Sequence, residues 1–296
     1  MTEYVGMALP RYDGIGQVKG ETKFVDDFVL PGMLYAKAVR SPVHKGILRG
    51  MDLSAAKATP GVVGFVTYDD IPGAKLFGAC GDQPVLVKDA IAYKGEDIAL
   101  VVAVDEDTCM EAISKVKLDI EEQEPVFDMF KAMEPGAPLV RPNLKSNLWE
   151  YGPGMTTRVM YIGDVEQGFN EADEVVEGRY LTGEQDHAAM EPMVSVAYFD
   201  SADRLAIHTH SQCLYFQLGQ LAAIFNLPQS RIRYMGGVVG GGFGGKNHPA
   251  ADHFAGLAAI KFRRPVKYRM SRREDLLYST KRGVFVFDYK TGFKKD

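Results

Sequence analysis

The chain has 296 residues, 46% apolar and 25% charged, with a formal net charge of −5. These ordinary values allow a sizeable core, or two, and leave no basic excess to draw in nucleic acid or an anionic membrane by field alone. The three cysteines, Cys80, Cys109 and Cys213, form no close pair, which argues against a disulfide framework, a structural zinc site or an iron–sulfur cluster held by this chain. No signal-like N-terminus and no run approaching roughly 18 apolar residues is present, so the expectation is a cytoplasmic protein with no membrane span.

In chain order, alternation predicts a strand over Gly32–Arg40. β-Branched runs predict buried strands over Val62–Tyr68 and Ile98–Val104. Between Asp105 and Lys115 the period turns helical. Met110, Ile113 and Val116 share a face there, and Asp105 or Asp107 is placed to cap. A further strand is expected over Val116–Ile120. From Met129 to Arg158 prolines, glycines and asparagines break every period, as in a connection between domains. Strands are then expected over Glu174–Leu181, Met193–Phe199 and Arg204–His210. A helix over Gln212–Phe225 should carry Leu214, Leu218, Leu221 and Phe225 on one stripe and stop at Pro228. A strand over Ile232–Met235, a helix over Pro249–Phe262 and a strand over Val266–Met270 complete the series.

Seven of the ten residues from Gly236 to Gly245 are glycine. Glycine at this density is costly in backbone entropy and suits a backbone that something approaches closely. Exposed N–H groups in such a turn attract anions. Three readings are open on the residues alone. A structural loop would need fewer glycines. Gly240, Gly245 and Lys246 fit a P-loop, but Asn247 stands where magnesium wants Ser or Thr. Gly240, Gly242 and Gly245 fit a dinucleotide motif, but the segment about 20 residues on, Ile260–Pro265, is basic rather than acidic.

The stretch Arg233–Lys246, with Gly240-Gly241-Gly242-Phe243-Gly244-Gly245-Lys246 at its end, resembles the signature of the molybdenum-binding subunits of the xanthine dehydrogenase/aldehyde oxidase family. Val18-Lys19-Gly20, Asp26-Asp27, Leu30–Leu34 and Val39–Pro42 resemble the opening of that family's a/b hammerhead domain. Gly163–Glu166, Val176–Gly178, Glu184–His187, Glu191-Pro192, Arg264–Lys267 and Arg273–Asp275 are similar to its cofactor-binding domain.

The resemblance implies a mixed α/β (α+β) fold: a hammerhead domain over 1–128, a linker over 129–160, and over 161–296 part of a molybdenum cofactor-binding domain. It implies hydroxylation of an aldehyde or N-heterocycle with water as the oxygen source. The cofactor it implies is molybdopterin, in its simple or dinucleotide form, with iron–sulfur and FAD groups expected on partner subunits. Gln212 would contact the oxo group, its amide at the positive end of the following helix. Gly241, Gly242, Phe243 and Gly244 would meet the cofactor with their backbone. Asn247 would face substrate, standing where the family often has a purine-binding glutamate, which weakens the case for xanthine. The family's substrate-orienting arginine and catalytic glutamate belong to a later portion of its cofactor domain. No general base and no direct metal ligand is therefore expected here, and the isolated chain is expected to be inactive. Two other readings are an assembly module that kept the fold without the chemistry, and a nucleotide-binding protein using the same turn.

Other groupings are weaker. His208 and His210 would share a strand face, as polar residues beside a cofactor pocket or the start of a metal site. His248 and Asp252 would share a helix face. Asp186-His187 with Glu191 reads as an acid/base cluster or as architecture. Cys213 stands at a helix start, where a thiol can acidify. The basic residues from Lys261 to Arg273 form either a solvated face or a surface toward an anion.

Overall fold

The computed structural model describes residues 4–78 and 80–295. Seven strands drawn from both sides of the 129–160 connection form one sheet. They are Leu34–Arg40 (β1), Val62–Val66 (β2), Asp97–Ala103 (β3), Val194–Phe199 (β4), Leu205–Thr209 (β5), Ile232–Gly236 (β6) and Val266–Arg269 (β7). Their order is β6-β5-β4-β7-β1-β3-β2. The junction is the parallel pair β1–β7, with Leu34 opposite Val266. β3 is buried along its whole length, which is why Ile98–Ala103 reads as an unbroken apolar run rather than an alternation.

Four helices position the rest: Glu106–Ser114 (α1), Leu214–Phe225 (α2), Asp252–Phe262 (α3) and Arg272–Tyr278 (α4). Asp105 caps α1, accepting from the Thr108 amide at 2.7 Å. The stripe that α1 buries is Cys109 and Ala112, against Val39, Ala99 and Val101. Met110, expected on that stripe, is half exposed. α2 starts two residues later than expected and buries Gln217, Leu221, Ile224 and Phe225. It ends on Asn226 in the left-handed region, one turn signal before Pro228. From the N-terminal half, the Gly73 and Ala74 amides close its last carbonyls, at 3.0 Å to Ile224 and 2.8 Å to Ala223. α3 starts at Asp252, and Phe254, Leu257 and Ala258 enter the main core beside Leu34, Leu100 and Tyr268. Burying each such large apolar side chain stabilises the fold by roughly 1.5–3 kcal/mol.

The local patterns did not anticipate strand Gly46–Asp52, which pairs with Ala90–Ile91 and Lys117–Glu122. They also missed α4 and strand Val286–Phe293, which forms a two-stranded ribbon with Glu174–Leu181. The basic segment is largely exposed, at Lys261, Arg263, Arg264, Arg269 and Arg273, as a solvated face would be, and part of it is paired with acidic side chains of the chain itself. Lys261 pairs with Asp70 at 2.6 Å, Lys267 with Asp26 at 3.3 Å, and Arg269 with Asp26 and Glu106 at 2.9 and 3.0 Å. Each of these pairs ties the second half of the chain to the first. Among the described residues no helix is long and apolar enough to cross a membrane.

Candidate cofactor site

The glycine turn leaves the end of β6 and is held by two side chains from elsewhere in the fold, Glu191 and Gln212. Glu191 lies just before β4. Its Oε2 accepts from the Gly240 amide at 2.8 Å and from Lys246 Nζ at 2.8 Å. The Glu191 amide donates back to the Gly240 carbonyl at 3.1 Å. Both partners of this ion pair are buried, with side-chain exposures of 2% for Lys246 and 10% for Glu191. Burial holds the Lys246 ammonium below its ordinary pKa, while Glu191 pulls it back up.

Gln212 holds the other end. Its Oε1 accepts from the Gly244 amide at 3.1 Å and the Lys246 amide at 3.2 Å. Because both partners are donors, they fix which end of the amide is oxygen. The Gln212 amide N–H donates to the Lys246 carbonyl at 2.9 Å. Gln212 therefore does not open α2 but precedes it, and its carbonyl oxygen belongs to the turn. Its Nε2 donates to no protein acceptor among the described residues.

The glycines divide into two sets. A Cβ on Gly242 would lie 2.4 Å from Gln212 Oε1, on Gly240 2.5 Å from Glu191 Cβ, and on Gly245 2.9 Å from the His187 ring. These three are glycine because the protein's own side chains come that close. Gly241 and Gly244 have φ of +99° and +91°, and Phe243, at +53°, is a bulky residue in the left-handed region with 76% of its surface exposed. Such an outlier in a non-glycine residue costs of order 1 kcal/mol or more and tends to occur at ligand sites. The N–H groups of Gly241, Gly242 and Phe243 donate to no protein acceptor among the described residues. Three successive unclaimed amides make a cradle for anionic oxygen.

The same geometry removes the P-loop reading. Lys246 is buried against Glu191 rather than free for phosphate, and the next helix begins only at Asp252.

The remaining groupings resolve separately. His208 packs on Phe28 at 4.4 Å between ring centroids, with Nε2 3.3 Å from the Tyr198 hydroxyl. His210, beyond the strand, is buried with Nδ1 4.0 Å from Glu191 Oε2, and burial pushes its pKa down to about 3. The two do not act together. His248 precedes α3 and shares no helix face with Asp252, because three further residues intervene before the helix starts. Asp186 pairs with Lys281 at 2.7 Å, and Glu191 belongs to the turn rather than to an acid/base cluster. Cys213 takes the N-cap position of α2 and makes no capping hydrogen bond. Among the described residues no cluster of three or more His, Cys, Asp or Glu is placed to hold a metal.

Residues 19–124 match the family model for the aldehyde oxidase and xanthine dehydrogenase a/b hammerhead domain, and residues 150–296 that for the molybdopterin cofactor-binding domain. The nicotinate dehydrogenase large molybdopterin subunit of Eubacterium barkeri is 32% identical over 295 residues, covering 99% of this chain and 68% of that protein. The chain belongs to the aldehyde oxidase and xanthine dehydrogenase family. It corresponds to part of the molybdenum-binding subunit. The xanthine dehydrogenase molybdenum-binding subunit of Escherichia coli O157:H7 is 30% identical over 97% of this chain, but the chain spans only 39% of its length. The aldehyde oxidoreductase of Desulfovibrio gigas superposes with a TM-score of 0.86 at 26% identity, over 97% of this chain and 32% of that one. The CO dehydrogenase of Oligotropha carboxidovorans gives 0.85 at 28% identity, over 98% and 38%.

Within this member of the family, the structure brings Gln212, Gly242 and Gly244 into direct contact. Phe243 is an exposed residue of the same turn, and a Cβ on half-buried Gly241 would meet Ala189 at 3.3 Å and the Phe243 ring at 3.4 Å. Asn247 is exposed, with Nδ2 4.0 Å and His187 Nε2 3.9 Å from a Cβ placed on Gly244. Sequence reasoning named His187 and Glu191 as an acid/base cluster or as architecture, but not the pairing of Glu191 with Lys246 or the packing of the His187 ring on Gly245. The pairing itself has no local signal, because Glu191 and Lys246 stand 55 residues apart.

Proposed function

We propose that this chain forms one wall of the molybdenum-pterin site of a hydroxylase acting on an aldehyde or N-heterocycle. The observation that carries the reading is the row of unclaimed amides on Gly241, Gly242 and Phe243, beside an uncommitted Gln212 Nε2. The residues fit the cofactor: the amides suit its anionic oxygens in the simple or dinucleotide form, and Gln212 Nε2 suits an oxo ligand. When bound, the molybdenum cofactor supplies two-electron oxidation with water as the oxygen source. The chain's own contribution is to hold Gly241, Gly242, Phe243 and Gly244 against the cofactor, aim Gln212, and present Asn247 to substrate.

Asn247 carries no charge, so it offers hydrogen bonds to a neutral carbonyl or ring nitrogen rather than a carboxylate to a purine. The name of the Eubacterium barkeri relative points the same way, toward a nicotinate-like ring. The general base, the iron–sulfur and FAD groups and the rest of the pocket come from further polypeptide, and the chain by itself does not turn over. Relatives named as subunits support such an assembly. Three free cysteines suit a reducing compartment, the cytoplasm.

The test is to purify the chain in complex with the polypeptides encoded beside it and measure molybdenum and pterin. The expected result is molybdenum in the complex and its loss on Gly242→Val. An active complex without molybdenum would refute the reading, as would tight binding of ATP or NAD at the turn.

A further inference from the structure

The carbonyl of Lys246 is claimed twice. It accepts from the Gln212 amide at 2.9 Å and from Gln217 Nε2 at 3.0 Å. Gln217 is 1% exposed, which is unusual for a glutamine on an amphipathic helix. A buried side-chain amide is tolerated only when its polar ends are satisfied. Here Nε2 is taken by Lys246, and Oε1 accepts the Tyr234 hydroxyl from β6. The same hydroxyl lies 3.5 Å from Thr209 Oγ1.

Against this group lies a small chamber lined by Thr209, His210, Gln217, Lys246, His248 and Asp252, among others. Its volume of about 10 Å³ matches the space needed by the centre of a single water. Two atoms of its lining residues are buried without a partner: Asp252 Oδ1 and His210 Nδ1. Their residues are each 4% exposed. A polar, water-sized chamber with two orphaned atoms is the setting in which proteins keep an ordered internal water.

We propose that Gln217, Tyr234 and one buried water held by Asp252 and His210 form a unit that positions the glycine turn, fixing the Lys246 carbonyl and through Lys246 the orientation of Gln212. Gln217 touches neither cofactor nor substrate and acts through the Lys246 peptide, so it is a positioning residue. The unit explains why a glutamine rather than a leucine occupies the buried stripe of α2. It also explains why Gln212 can spend its oxygen on Gly244 and Lys246 and still keep Nε2 free. The bearing of this unit on a bound pterin rests on the proposed function; its bearing on the turn does not.

Amide hydrogen exchange on the full chain tests it. With Gln217→Met, the Gly244 and Lys246 amides are expected to exchange at least tenfold faster, while the amides of α3 and β3 keep their rates. Tyr234→Phe, which removes only a hydroxyl, is expected to speed the same two amides by a smaller factor. It serves as the decisive variant if Gln217→Met does not fold. Acceleration spread evenly over the sheet, or none at the turn, overturns the assignment. A crystal structure fine enough to order waters should show one peak within hydrogen-bonding distance of both Asp252 Oδ1 and His210 Nδ1; an empty chamber overturns the water. A loosened turn with unchanged molybdenum content in the complex would count against the proposed function and leave this inference standing.

Discussion

The Glu191 carboxylate and the Lys246 ammonium meet at 2.8 Å in the interior, and the same carboxylate oxygen holds the Gly240 amide. One oxygen thus ties the first and last residues of the turn. Removing one partner of a buried pair strands the other charge, at a cost of roughly 3–5 kcal/mol. Lys246→Met is therefore expected to destabilise the chain by about 3 kcal/mol or more in urea unfolding. The double variant with Glu191→Leu should cost less than the sum of the two single changes. A strictly additive double-mutant result would sink the pairing as an energetic unit.

A steric prediction falls on Gly73. A Cβ there would lie 2.0 Å from the Ala223 carbonyl oxygen, which is backbone and cannot swing aside. Gly73→Ala normally gains a few tenths of a kcal/mol by stiffening the unfolded chain. Here it must push the loop away from the end of α2 and break two amide–carbonyl bonds. A net loss of about 2–4 kcal/mol is expected, from one orphaned carbonyl or more plus overpacking. A thermal midpoint equal to that of the parent chain would contradict it.

The pH prediction concerns His253. Its ring sits between Phe77 and Phe254, with centroids at 4.9 and 3.9 Å, and both ring nitrogens lack partners. Burial pushes its pKa down to about 3. A depressed histidine pKa means that the unfolded chain binds the extra proton. The stability is complete above pH 6.5 and is lost as pH falls from there toward 3. His210 and His248 act in the same direction, with values of about 3 and 4. Asp252, raised by burial to about 6, opposes them. Its contribution is complete below its unfolded value near 3.8 and is lost as pH rises through 6. His253→Leu leaves no polar partner unpaired. Its stability relative to the parent should rise by about 1.4 kcal/mol per pH unit as pH is lowered below 6.5. Parallel stability curves between pH 7 and 4 would show that His253 is protonated in the fold.

Much of the fold was legible wherever a local pattern carried it. β3 reads as strand because Ile98–Ala103 are all buried and apolar, and Asp105 reads as a cap because its side chain needs only the amide three residues on. Gly46–Asp52 was missed because Gly46 and Gly50 interrupt the alternation, yet a Cβ on Gly46 would strike the Glu121 carbonyl at 2.9 Å. Strand Val286–Phe293 was missed because Asp288, Lys290, Thr291 and Gly292 dilute its apolar content and its partner lies a hundred residues back. At the site, glycine density flagged the turn but not its reason. Three of the seven glycines answer to Glu191, Gln212 and His187, and long-range contacts of this kind leave no trace in local spacing. The expected helix start at Gln212 was too early because its amide and side-chain oxygen are bonded to the turn, and the helix expected from Pro249 starts only at Asp252.

The parallel pairing of β1 with β7 carries one more consequence. Since the sheet runs through both halves, residues 129–160 are a tether rather than a hinge. A single cut there should leave two fragments that stay clasped edge to edge through Leu34–Val266 and the salt bridges of Asp26 and Glu106. Either piece made separately would have to recognise the other to complete its own sheet.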